Sequence, residues 1–381
     1  MRNDVVSLTR MLAIVGTLVF AAVLPCSGQT PQGISSFSKM FKSKDTYMGP
    51  VATKIAEFKE DSPVGGLAFN ADGTRLAVNP TFADPDLHVW DWSTSKRIER
   101  VFHNVGPPGV GNAIQYSVDG SLLAVGHERA SPQNAFEIIR IWNARDASIR
   151  NSINEPTGGA SKSIGFTPDG TFFVRTISHA GNPRDNLIIH RVDNWSVAWG
   201  LRTFPLVPRS LALSADSRFA AVGGETYPAG PTINTHPQIL IVDLSRHEIV
   251  RTIDGVFPDH NQVLTLAWSP SGKAIAAGAV VGGTSPGPDA VKIFDPTTGI
   301  QTAREPTVRP AYVSGLAFTP DGRYLIEAFI DGHARIWDSQ HRSLLQSIPV
   351  DDHFHPAVAV SRDSRHVALA SGINVSVWAI Q

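Results

Sequence analysis

An all-β, seven-bladed propeller is the fold class this sequence predicts, and three observations predict it. The string FTPDG stands at both 166–170 and 318–322. Five degenerate copies of it fill the intervals around these two. Behind each copy comes a short alternating run with a large residue near its end. Self-similarity at a period of a few tens of residues marks a repeat architecture.

The turns form the first column: FNADG (69–73), YSVDG (116–120), FTPDG (166–170), LSADS (213–217), WSPSG (268–272), FTPDG (318–322) and VSRDS (360–364). Successive copies lie 42 to 55 residues apart, so seven similar units fill the chain. Gly, Asp and Ser suit the demanding backbone angles of a tight hairpin turn. The second column reads LHVWDW (87–92), IRIWNA (139–144), IIHRVDN (188–194), ILIVDL (239–244), VKIFDP (291–296), ARIWDS (334–339) and VSVWAI (375–380). Its large residues are Trp90, Trp142, Val192, Val242, Phe294, Trp337 and Trp378. Asp91, Asn143, Asp193, Asp243, Asp295 and Asp338 follow them, and Ala379 breaks the pattern in the last unit.

Unit one shows the order of elements. VGGLAF is strand one, NADG a turn, TRLAV strand two, LHVWDW strand three, STSK a turn and RIERVF strand four. Each strand carries period-two alternation. One four-stranded antiparallel sheet cannot bury both faces alone. Seven packed radially can. Unit seven supplies only three strands, and an orphan run, KIAEFK within 51–61, precedes unit one. That N-terminal strand is expected to join the C-terminal blade and remove the ring's open edge.

These residues carry a resemblance. Trp90-Asp91 and Trp337-Asp338, the near matches Trp142-Asn143 and Phe294-Asp295, and the seven turns make residues 51–381 similar to the WD40-repeat family in its bacterial, exported form. The resemblance implies a non-catalytic platform for a protein or peptide partner. The family sets a Gly-His pair before the first strand of a unit. Here Gly126-His127 and Gly332-His333 read as following the second strand, and only His260 is well placed. The family's buried His–Ser–Asp–Trp network is therefore expected to be missing from most blades. Apolar packing of the strand-three Trp, Phe and Val is expected in its place.

Residues 1–28 read as a secretory signal. Arg2 and Arg10 precede MLAIVGTLVFAAVL, a run of 14 apolar or small residues, short of the ~20 a membrane span needs. Cys26 and Gly28 fill the small −3 and −1 positions of a cleavage site. Pro25 stands where a lipoprotein signal wants a small residue, so lipid anchoring at Cys26 is not expected. Cys26 is the only cysteine, and cleavage leaves no thiol for a disulfide. Residues 29–50 read as a flexible linker and 51–381 as the propeller. The expectation is an exported monomer, periplasmic or extracellular, with no membrane span after cleavage. Lys and Arg number 33 against 34 Asp and Glu, with no basic run, which argues against a nucleic-acid partner.

Loops between strands two and three share one face of the ring. They read as long in five units: NPTFADPD (79–86), GHERASPQNAFE (126–137), TISHAGNPRDN (176–186), GGETYPAGPTINTHPQ (223–238) and GAVVGGTSPGPDA (278–290). Units six and seven have only FIDGH and SGIN. Loop elaboration on one side of a repeat array marks a binding face. Its candidate partner contacts are Phe82, Arg129, Arg184, Tyr227 and His236. His353 and His355, flanking Phe354, are metal-ligand candidates together with His260. No second short-spaced ligand pair adjoins them, and an ordinary polar inter-blade loop is the competing reading. No cofactor is expected. The alternative function is a propeller enzyme, a lyase or a lactonase, with these histidines converging at the channel mouth on that face. Ser285 in GTSPG lacks the strand–turn–helix setting of a catalytic serine, and GPPGVG (106–111) opens no helix to cradle phosphate.

Overall fold

All seven turns of the FTPDG column are hairpin turns with one left-handed residue at the end. In this computed structural model that residue is Gly73, Gly120, Gly170, Ser217, Gly272, Gly322 or Ser364, with φ between 62 and 74°. Its amide donates back three residues, as Gly322 does to the Thr319 carbonyl at 2.8 Å. Side chains then lock the turn. Thr319 Oγ1 donates to Asp321 at 2.6 Å and accepts the Tyr324 amide at 3.0 Å. Asp321 Oδ1 accepts the Arg323 amide at 3.0 Å. Thr167 and Asp169 repeat this in the other FTPDG copy. Short polar side chains can bond their own backbone, which is why Ser, Thr and Asp recur here. The hydroxyls of Ser117 and Ser121 hold the Asp119 carboxyl below the usual range.

The structure describes residues 50–80, 86–98, 113–129, 136–155, 161, 163–178, 185–226, 235–280, 289–305, 312–350 and 356–381, without the side chains of 127–129, 136–138, 155, 280 and 305. Residues Pro50–Gln381 form one unit of seven four-stranded antiparallel sheets. The first strands are Val64–Phe69, Ile114–Tyr116, Ile164–Phe166, Leu206–Leu213, Gln262–Trp268, Val313–Phe318 and Ala357–Val360. In blades one to six the strands follow chain order. In blade seven the outer place belongs to Ala52–Lys59, which pairs antiparallel with Asn374–Ile380, Ala52 opposite Ile380 and Lys59 opposite Asn374. The ring closes as expected. Among the described residues no helix is long and apolar enough to cross a membrane.

The core is not central. It is seven clusters, each between two neighbouring blades. Leu122 and Ile141 of blade two meet Phe166 and Phe173 of blade three. Ile241 and Phe257 meet Val263, Ile275 and Phe294 between blades four and five. Phe58, Val375 and Val377 of blade seven meet Leu76 and Val78 of blade one. Each large side chain so buried is worth about 1.5–3 kcal/mol. The closing joint has polar staples as well. Phe58 stacks on Trp90 with ring centroids 4.2 Å apart. Buried Glu60 accepts the Trp90 indole N–H and lies 2.6 Å from His88 Nδ1.

Four expectations need correction. The loops of blades two and four are shorter than read, because their strands run on. Strands two and three are Leu122–Arg129 with Phe136–Asn143, and Phe219–Thr226 with His236–Asp243. The connections are 130–135 and 227–235. Gly223-Gly224, read as the start of the loop 223–238, pairs with Ile239 and Gln238. A Cβ on Gly224 would sit 2.0 Å from the Val207 carbonyl oxygen, so close backbone approach requires glycine there. Gly126-His127 likewise lies inside a strand that runs on, opposite Ile139 and Ile138.

In blade three the large residue of strand three is not Val192. Strand three is Leu187–Arg191, and His190 lies opposite Phe173 as Trp142 lies opposite Leu123 and Trp337 opposite Leu325. Val192-Asp193 imitates the column but falls two residues late. The fourth strand expected at RIERVF is described at Lys96–Arg97, and its remainder from 99 on lies outside the described residues. Finally, apolar packing is not the whole substitute for the missing network. Buried carboxylates take part: Glu60 for Trp90, and Glu327 Oε2, which accepts the Trp337 indole N–H at 2.7 Å.

Candidate functional site

A channel follows the ring axis, walled by the inner edges of all seven blades. Gly66, Ile114, Ser163, Arg209, Thr265, Ser314 and Val358, one from each blade, line a cavity of about 490 Å³. Several hydroxyls at this wall serve backbone carbonyls. Ser161 Oγ donates to the Thr176 carbonyl at 2.9 Å, and Ser210 Oγ to that of Val263 in the next blade at 3.0 Å. Ser314 Oγ donates likewise to the Pro356 carbonyl of blade seven. Arg209 is the one charged residue among these lining residues. Its guanidinium forks onto Glu225, with Nη2 at 2.6 Å and Nε at 2.9 Å from Oε1. The Glu225 side chain is fully buried, so the bidentate pair fixes the arginine. The described lining offers no carboxylate, imidazole or thiol, and thus no general acid–base pair.

Of the candidate contacts on the long-loop face, Phe82, Arg184 and Tyr227 lie outside the described residues, as do His353 and His355. Arg129 ends the second strand of blade two, opposite Phe136, and its side chain is not among those described. His236 opens the third strand of blade four. Its Nδ1 lies 2.6 Å from Asp259 Oδ1, both side chains about half exposed at 50% and 54%. Next to Asp259, His260 is exposed in a left-handed conformation, φ 68°. Its amide donates to the Thr235 carbonyl at 2.8 Å. His260 therefore does not supply the buried imidazole its place in the repeat suggests. It belongs to a polar knuckle tying residues 235–236 to the linker before blade five. Among the described residues no three His, Cys, Asp or Glu side chains gather as a metal site.

Sequence reasoning missed a buried pair in blade three. Arg175 Nε donates to His190 Nε2 at 3.2 Å, and His190 Nδ1 lies 3.2 Å from the Trp195 carbonyl oxygen. Arginine only donates and a carbonyl only accepts, so the proton sits on Nδ1 of a neutral ring. Burial, more than the nearby Arg175 charge, pushes the His190 pKa down. Glu327 did carry a signal: it stands on a buried position of the apolar run YLIEAF. Glu60 carried none, because it lies in a linker.

The sequence profile of the WD40 family (WD domain, G-beta repeat) matches residues 251–283 and 307–338. The first stretch runs from the outer strand of blade four past the second strand of blade five. The second spans three strands of blade six and ends on Trp337-Asp338. No curated protein matches the chain. Two stretches of the chain are thus similar to WD40 repeats, and they sit in a closed ring of seven four-stranded blades.

Proposed function

We propose that the protein is a non-catalytic, exported scaffold that holds a protein or peptide partner on its long-loop face. WD40 propellers commonly bind proteins. The observation that carries the choice of face is an asymmetry. On one face all seven strand one–two turns share one geometry, down to the left-handed residue. On the other, the strand two–three connections range from Gly372-Ile373 in blade seven to residues 227–235 and 281–290 in blades four and five. A rigid ring with variable loops on one side is how repeat scaffolds present a binding surface. Export rests on residues 1–28, and N-terminal sequencing of the mature protein is expected to begin at Gln29.

The test of the face is proximity capture from intact producing cells, comparing the parent with alanine blocks in 227–235 and 281–290. Loss of the same captured proteins from one or both blocks is expected. Unchanged capture by both would move the interface elsewhere.

A further inference from the structure

The short-turn face carries a groove between blades four and five. It encloses about 320 Å³, room for one or two side chains. Its floor is apolar. Ile241 is buried there, Phe219 and Trp268 are half-buried, and Val250 is 38% exposed. The two rings stack at 6.2 Å with 22° between planes. The Trp268 indole N–H donates to the Gly272 carbonyl at 3.3 Å, which fixes the ring.

The walls are cationic. Arg218, Arg246 and Arg251 line the groove with two carboxylates, Asp216 and Asp243. Both carboxylates are committed to their turns. Asp243 accepts the Ser245 and Arg246 amides on Oδ1 and both guanidinium contacts of Arg218 on Oδ2. Asp216 accepts the Ser214 hydroxyl and the Arg218 amide. Among the described residues Arg246 pairs only with exposed Glu248, at 3.2 Å. Arg251 Nη1 donates to the Thr298 carbonyl at 3.2 Å, and no carboxylate pairs with it among the described residues. Two guanidiniums therefore keep donors for an incoming anion beside an apolar floor.

The ring supplies its own control. The matching groove between blades one and two sets Arg75 and Arg145 against Asp72 and Asp146, and its aromatic, Tyr116, is buried. That groove balances its charges and hides its ring.

We propose that the blade four–five groove is a second binding site, on the face opposite the long loops, for an extended peptide presenting an apolar side chain next to a carboxylate. The apolar side chain would lie against Trp268 and Val250, and the carboxylate would meet Arg251 and Arg246. Charge complementarity selects this occupant. The chain's own segment 29–49 does not fit, because it carries Lys39, Lys42 and Lys44 against Asp45 alone.

The experiment is panning of a random peptide display library on the full chain, followed by titration of the enriched peptides. Enriched peptides are expected to pair Leu, Ile, Phe or Trp with a neighbouring Asp or Glu. Arg251→Glu is expected to weaken them at least about tenfold and Arg246→Glu less, since two charge-assisted contacts are lost. Arg145→Glu, in the balanced groove, is expected to change them by less than about twofold. Melting temperatures of the three variants check that each is folded. Enriched peptides without acidic residues overturn the proposal, and so does equal affinity for parent and Arg251→Glu. Displacement of the peptides by inorganic phosphate or an oligonucleotide would also overturn it, by assigning the cations to a different anion.

Discussion

Blades three and six share one five-letter turn and diverge at the same lattice position. Both carry FTPDG between strands one and two, and both turns bond in the same pattern. Opposite the third residue past the turn glycine, blade six places Trp337 and blade three places His190. Trp337 fills its inter-blade cluster and gives its indole N–H to Glu327. His190 cannot fill the same volume. Blade three lets Trp195, from the following turn, pack edge-on against Phe166 and Phe173 instead. Trp195 stands at the left-handed position of the strand three–four turn, φ 61°, which Ser95, Ala147, His247, Gly299 and Arg342 hold in other blades. The difference teaches that the repeat constrains the turn and the ladder register, while the large side chain can be supplied from elsewhere in the blade.

The largest effect expected to sharpen this comparison is on stability. Trp337→Ala should cost about 3–5 kcal/mol, as other buried tryptophan truncations do. His190→Ala should cost less, because Trp195 carries the packing there. Denaturant unfolding of both variants measures this, and equal losses would break the comparison. The next effect is the pH dependence that blade three contributes through His190. Burial lowers the folded pKa of His190 below its ordinary 6.5. The neutral ring is then the stabilising form. Its contribution is complete above pH 6.5 and lost as pH falls through the lower folded value. His366 shifts in the same direction, so the informative quantity is the difference between parent and His190→Phe. The variant should show the shallower loss in acid melts, and parallel curves would contradict it. The smallest effect is on the shared turn. Gly170→Ala meets no atom within 4 Å and suffers only the left-handed backbone at φ 72°, about 1 kcal/mol. Gly322→Ala has only Pro270 Cδ near, at 4.0 Å, and should match it. Melting of the two variants side by side tests that equivalence.

The sequence made the blade count legible because the turn chemistry is local. A Gly, Asp and Ser string has to sit where the backbone turns left-handed, and it does so seven times. Ring closure was legible for a similar reason: three strands at one end and an orphan at the other leave one arrangement without an open edge. Features that depend on tertiary register were not legible. Val192-Asp193 resembles the column, yet only the ladder shows that His190 holds the place. Gly223-Gly224 looks like a loop until Val207 is seen against it. The arginine groove was invisible, because Arg218 comes from a turn and Arg251 and Trp268 from two different strands, and they converge only when two blades pack.

The strand Ala52–Lys59 has a further consequence, in the order of assembly. Its partner, Asn374–Ile380, is made more than 300 residues after it. At ~5–20 residues per second of synthesis, the first strand waits roughly a quarter of a minute to a minute for that partner. Through that interval both it and the neighbouring blade present unpaired edges, the surfaces most prone to recruit another chain. Closure is also the contact of greatest loop length and is formed against the largest loss of chain entropy. The Phe58–Trp90 stack and the Glu60 hydrogen bonds act as a clasp on that final step. Until it shuts, seven blades are a strip with two ends; afterwards no blade is terminal, and each is held from both sides.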